Sequence, residues 1–289
     1  MLKTLKKYKI PYLFISPFFI LFLLFQLIPV LWTFGISFTS WNGMKTPKFI
    51  GLDNYNILFQ DYMFKETFTN TVIYWVVSTI LILVISTAIA LCLNSTKLRA
   101  RNFFSVATYL PYVCASVAMG LIFSMLFDEQ AGLINAILET FGGSKIPWLT
   151  SSKYDRIPVI ILFVWRIVPW FTVIILSGLK NISKEYYEAA TVDGASIFQQ
   201  FTKITLPLLG NIYFFCIVTI TADVWKMFNE SYTLAGPGTS NATIFQLIYQ
   251  YAFQTHKLGY ASALSVLLIA IMLIVSVVQF KVRRRSGEL

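Results

Sequence analysis

Long apolar runs separated by short polar stretches make up most of this chain. Six of them match the roughly 20 residues a helix needs to cross a bilayer's hydrocarbon core: 11–38, 68–93, 103–127, 158–179, 210–228 and 260–280. The pattern predicts an all-α membrane protein with six transmembrane helices in a single domain, 1–289. Pro17 and Pro29 in the first run and Pro111 in the third predict kinks. The fifth run is the most polar, with Thr219, Thr221, Asp223 and Lys226. Between the third and fourth runs, Leu133, Ile134, Ile137 and Leu138 share one face of a short helix ending at Gly142 and Gly143, predicted to lie on the outer interface. No polar stretch is long enough for a soluble domain, and no repeat is visible.

Composition supports this. The chain is 57% hydrophobic and 12% charged, against about 25% charged in soluble domains, and its mean hydropathy is +0.69. The net charge of +10 does not indicate nucleic acid, because the basic residues sit at the ends of apolar runs rather than on one face. Their distribution sets orientation instead. One side holds Lys3, Lys6, Lys7, Lys9, Lys97, Arg99, Arg101, Lys180, Lys184, Lys203, Lys281, Arg283, Arg284 and Arg285. The other holds Lys45, Lys48, Lys65, Lys145, Lys153, Arg156 and Lys257, with most of the acids, among them Asp61, Glu66, Asp155 and Glu230. Both termini are therefore expected in the cytoplasm, and the first run reads as an uncleaved span rather than a signal peptide.

Cys92, Cys114 and Cys216 read as small buried hydrophobes, and Asn241 in "NAT" as loop. Trp32, Trp41, Trp75 and Trp148 read as interfacial belt residues. A single histidine, His256, leaves no His-based metal cluster, and neither a catalytic nor a metal constellation is expected.

Between the fourth and fifth runs lies "EAATVDGASIFQQFTKITLPLL". Ser183 is placed to cap a helix from Lys184, with Glu185 in its first turn. Gly194 can take the left-handed conformation that ends it. A second piece from about Ala195 to Ile204 should stop before Pro207. On residues alone this is either an amphipathic connector or a bent handle for a soluble partner. Its pattern, Glu188-Ala189-Ala190, Asp193-Gly194-Ala195 and Ile204-Thr205-Leu206-Pro207, resembles the EAA loop of ABC importer permeases. "SFTSWNG", "FIGLDNYNILF", "VWRIVPW" and "MFNESYTLAGPG" resemble the carbohydrate-uptake branch of that family, in the first member of its usual unlike permease pair. The Gly-Gly-Pro common there is Ala235-Gly236-Pro237-Gly238 here.

The resemblance implies a type I ABC importer permease fold in a bacterial inner membrane, with paired coupling helices over 183–207. Glu188, Ala189, Ala190, Asp193, Gly194, Ala195 and Pro207 would meet the ATPase. The implied partners are a second homologous permease, two cytoplasmic ATPase subunits, an extracytoplasmic sugar-binding protein and membrane lipid. ATP and Mg would be bound by the ATPases, and this chain, which has no GxxxxGK[ST] loop, would hold no cofactor.

Asp223 and Lys226, three apart on one helical face, are either a structural ion pair or part of a sugar path. Trp225, Lys226 and Asn229 supply the aromatic and hydrogen-bonding mixture that sugars need. By resemblance, residues before the Gly-Pro turn line the sugar site. Arg166 reads as structural. The rival reading is an ion-coupled secondary transporter with Asp223 as its cation site.

Overall fold

A computed structural model describes residues 9–95 and 100–285. Lys3, Lys6, Lys7, Lys97 and Arg99 of the orientation count lie outside the described residues. The chain divides into two compact units, Met1–Asp61 with Ile248–Ala270, and Tyr62–Leu247 with Ile271–Leu289. By length and composition four helices can cross a membrane, or six if each of two bent pairs is one span.

In the first unit, α1 (Lys9–Phe22), a wide π turn (Leu23–Leu27) and α2 (Ile28–Ile36) form one apolar helix. Its outward side chains, such as Phe14, Phe25 and Trp32, are exposed, as suits a span facing lipid. The π turn answers Pro29. A proline ring clashes with the carbonyl four residues back, and here the Ile28 N–H reaches back to the Leu23 carbonyl, so the coil widens and the helix continues. Next, β1 (Thr39–Ser40) pairs antiparallel with β2 (Lys48–Phe49), Thr39 opposite Phe49. The buried Asn54 of α3 (Asp53–Gln60) fastens that hairpin by donating to the Ser37 and Thr39 carbonyls at 2.8 and 3.0 Å.

The second unit is built on α4 (Tyr62–Asn94) and α8 (Arg156–Lys180), which pack along their lengths. Small polar residues on the inner side of α4, including Ser78, Ser86 and Thr87, let the backbones approach, and Ser86 Oγ donates to the Val168 carbonyl at 3.0 Å. Leu162, Phe163, Phe171 and Ile175 of α8 fill the core.

The third predicted span is broken. α5 (Arg101–Val113) and α6 (Ser116–Leu126) meet at 93°. The break falls after Pro111, at Cys114 and Ala115, whose extended ψ values of 143° and 122° end one helix before the next begins. The short helix expected there forms as α7 (Leu133–Thr140). Its buried Asn135 accepts from Trp148 Nε1 at 2.9 Å and donates to the Glu129 and Ile146 carbonyls.

α9 (Lys184–Val192) follows, then α10 (Ile197–Gln200), a π turn (Phe201–Thr205) and α11 (Leu206–Leu208). Contrary to the sequence expectation, the helix does not stop before Pro207. The Leu206 N–H reaches the Phe201 carbonyl, and the widened turn carries the helix through the proline. The bend comes at Leu209, where Ile197–Leu208 meets α12 (Gly210–Trp225) at 67°. α13 (Asn229–Thr233) and α14 (Ile244–Tyr249) precede a π turn (Gln250–Gln254) and the last span, α15 (Leu258–Arg285).

Two side-chain expectations change. Cys216 alone of the three cysteines is buried, while Cys92 is exposed and Cys114 half-buried. Trp75 is no belt residue. Its indole N–H donates to Thr221 Oγ1 at 2.8 Å and its ring lies against Trp225.

Candidate functional site: an elbow and a polar centre

The elbow forms from local chemistry. Ser183 Oγ accepts from the Glu185 N–H at 3.3 Å and so caps α9. At the other end Asp193 is the last half-helical residue and Gly194 takes φ +78°. The Gly194 N–H then reaches the Thr191 carbonyl at 3.1 Å, and the Ala195 N–H reaches the Ala190 carbonyl at 2.9 Å. These two bonds are the Schellman closure that needs a left-handed residue. Ser196 opens the second piece with a capping box, exchanging bonds with Gln199.

Two side-chain bonds then brace the arms across the bend. Tyr187 and Thr205 share a hydroxyl bond of 2.9 Å, and Gln200 Nε2 donates to Thr191 Oγ1 at 3.1 Å. Neither brace follows from a sequence pattern, since each joins residues nine or more apart. Val192, Ile197 and Phe198 stay exposed at 88%, 86% and 74%. Beside them a groove of about 1190 Å³ is lined by Leu91, Lys180, Tyr187, Ile197, Phe198 and Phe201. Glu188 with Lys184 and Thr191 lines a shallower hollow of about 600 Å³. The elbow therefore presents apolar side chains and the exposed carboxylates of Glu185, Glu188 and Asp193 on a braced, bent lever.

The polar centre departs from the sequence reading. Trp225 is 1% exposed and edged by Phe68 and Trp75 at ring distances of 6.1 Å, so it offers no open face for a sugar ring. Asp223 and Lys226 do pair, at 4.0 Å, and both are partly exposed. Asn229 Nδ2 donates to Ser116 Oγ at 2.8 Å, tying α13 to the start of α6. Those two helices cross closely, for a Cβ on Gly120 would lie 2.0 Å from Thr233 Oγ1. Arg166 is ion-paired inside the chain. Its Nη2 and Nε lie 2.7 and 2.8 Å from Glu230 Oε1, an acid the sequence count had placed in the outer loop.

Sequence reasoning missed a second polar cluster. The loop 234–243 is held against α4 and α8 by Asn70, which donates to the Thr239 and Ala242 carbonyls, and by Asn241, which donates to the Leu234 and Asp155 carbonyls. Ser240 donates to Asp155, which lies against Gly236, where a Cβ would collide with it. Burial, opposed by the Ser240 hydroxyl and the Arg156 guanidinium, pushes the Asp155 carboxyl above its ordinary range. Asp128, exposed in the loop before α7, is held below that range by N–H bonds from Ala131 and Gln130. The only signal in the sequence for the buried cluster is its run of small and turn-forming residues.

Bent apolar helices around buried ionic and amide groups, with an exposed helical elbow, define a multi-pass membrane subunit of the transporter type. Residues 82–287 match the family described as binding-protein-dependent transport system inner membrane component. The chain belongs to that family, and so is a multi-pass inner-membrane transport component of a binding-protein-dependent system. It is 32% identical over 285 residues to the probable ABC transporter permease protein YurN of Bacillus subtilis, covering 96% of this chain and 97% of that one. It is 32% identical to the arabinooligosaccharides transport system permease protein AraP of the same organism, over 94% of this chain and 87% of that one. A third relative is the trehalose/maltose transport system permease protein MalF of Thermococcus litoralis, at 31%, over 96% and 94%. In fold it is similar to a chain of a bacterial ABC transporter importing the acidic polysaccharide alginate, with TM-score 0.85, 24% identity and 98% of each chain covered.

Proposed function

We propose that this chain is the permease subunit of an ATP-driven importer of an oligosaccharide or related polyol, working by alternating access. It stands beside a second, homologous permease, two cytoplasmic ATPase subunits that bind ATP and Mg, and an extracytoplasmic sugar-binding protein. Both termini and the elbow 183–207 face the cytoplasm. Nucleotide closure of the ATPases moves the elbow, and the spans exchange inward-open for outward-open access. The chain itself changes no covalent bond.

One observation carries this reading above the others: the elbow is exposed, apolar at its tip and braced across its bend. Such a part transmits displacement, and a surface connector has no need of it. The names of the relatives, which include arabinooligosaccharide and trehalose/maltose systems, support the substrate class.

The test is Glu188→Lys in the assembled importer, reconstituted in proteoliposomes. Reversing the charge in the hollow beside Lys184 leaves insertion unchanged and disconnects ATP hydrolysis from uptake. Wild-type uptake by that variant refutes the elbow's role. Uptake that collapses with the ion gradient and ignores ATP would establish the ion-coupled alternative.

A further inference from the structure

The first unit holds a cavity of about 800 Å³, within the roughly 300–1,000 Å³ typical of small-molecule sites. It is formed by the hairpin after the first span, the outer side of α3 and the corner that leads into the last span. Three ammonium groups, Lys45, Lys48 and Lys257, line it together with His256, Trp41 and Asn42. Among the described residues none of these lysines forms an ion pair. The one carboxylate in the lining, Asp61, accepts hydroxyl bonds from Tyr251 and Tyr260 at 3.0 and 2.7 Å. Like charges lining one concavity raise its positive potential and attract anions.

The walls are preformed. Trp41 Nε1 donates to the Lys45 carbonyl at 2.6 Å, and Asn42 Oδ1 accepts from the Met44 and Lys45 N–H groups. The Gly259 N–H donates to the Trp41 carbonyl at 3.1 Å, and a Cβ on Gly259 would lie 1.9 Å from the Thr39 carbonyl oxygen. Only glycine allows that approach, which fastens the hairpin to the last helix. The basic corner is strained: His256 has φ +54°, a region that costs a non-glycine residue about 1 kcal/mol or more. The strain holds the His256–Lys257 step at the cavity, with the Lys257 N–H on the Tyr251 carbonyl at 2.8 Å. Strain retained away from the core is characteristic of binding sites.

We propose that this cavity is a subsite for a carboxylated saccharide unit, a hexuronate, with Lys45, Lys48 and Lys257 taking the carboxylate and the Trp41 ring the sugar face. A half-open hollow that mixes cations, an amide and an aromatic ring suits a sugar acid better than a flat protein surface. The inference rests on the transport reading above, which puts this hairpin on the outer side.

The test uses the full-length chain in lipid nanodiscs, titrated calorimetrically with digalacturonate and with neutral galactobiose. Digalacturonate binds saturably and more weakly as salt rises, and galactobiose binds at least about tenfold more weakly. The variant Lys45→Gln/Lys48→Gln/Lys257→Gln, altered only at exposed positions, loses about tenfold in digalacturonate affinity. Equal affinity for both sugars, an unchanged triple variant, or no binding at all overturns the proposal. So does a triple variant whose only loss is affinity for the sugar-binding protein, which would make the cavity a protein dock. ATP-driven uptake of a neutral oligosaccharide by the assembled importer tests the transport reading separately, and survives if only the subsite is wrong.

Discussion

Gly194 offers the sharpest test of the elbow. Its φ of +78° closes α9, and a Cβ built there meets nothing within 4 Å. A side chain is therefore opposed by backbone conformation alone. Alanine in the left-handed region costs about 1 kcal/mol, which lowers the equilibrium constant for the bent elbow by a factor of about five. Asparagine is larger than alanine but tolerates this region, whereas valine, branched at Cβ, is the worst fit. ATP-driven uptake per ATP hydrolysed, measured in proteoliposomes of the assembled importer, should rank Gly, Asn, Ala, Val. Membrane content should hardly change, and the alanine variant's thermal midpoint should fall by no more than about 2–4 °C, because the residue is exposed and buries nothing. If Asn proves worse than Ala, side-chain volume against a partner governs the position, and the backbone argument fails.

Trp225→Ala removes a fully buried ring from between Phe68 and Trp75 and should cost about 3–5 kcal/mol, read as a fall in thermal midpoint in detergent. Trp225→Phe should stay within about 1.5 kcal/mol, since among the described residues the indole N–H has no partner to lose. Arg166→Met or Glu230→Gln alone leaves one buried charge uncompensated and should cost about 3–5 kcal/mol, whereas Arg166→Met/Glu230→Leu recovers most of it in a double-mutant cycle. Asp155 gives a pH dependence. Its carboxyl is raised in the folded state, so the fold binds that proton more tightly than the unfolded chain does. Stability from this group therefore increases as pH falls through the raised value and levels off below the ordinary value of about 3.9. Asp155→Asn should flatten that slope in thermal melts taken from about pH 8 to about pH 4.

What the sequence revealed was what short-range chemistry decides. Ser183 and Gly194 act on groups two to five residues away, and both behave as the spelling predicts. Four spans are unambiguous because twenty or more apolar residues admit one solution in lipid. The failures involve partners distant in sequence. Glu230 looked like a loop acid because its partner Arg166 lies 64 positions earlier. Trp225 looked like a stacking platform because Phe68 and Trp75, which enclose it, come from another helix. Pro207 misled for a different reason, whereas the third span does break after Pro111. A widened turn satisfies Pro207 locally, so the helix passes through it and bends where tertiary packing directs.

That displacement of the bend from Pro207 to Leu209 changes how the elbow must work. The lever has two joints of opposite kinds. Gly194 is open, and its angle is set by backbone conformation and by the Tyr187–Thr205 and Gln200–Thr191 bonds. Leu209 is 1% exposed, and its angle is set by packing: Gly178 on α8 lies so close that a Cβ there would come within 2.8 Å of Leu209 and 2.1 Å of Ile212. A push at the tip of Ile197–Leu208 cannot be absorbed at a flexible proline, because the helix is continuous there. It reaches the buried joint and passes into α8 at Gly178, and α8 carries Arg166, which holds α13 through Glu230. Under the proposed coupling, displacement of the elbow and the Arg166–Glu230 ion pair thus meet on one helix, a path in which each link is a packed or hydrogen-bonded contact.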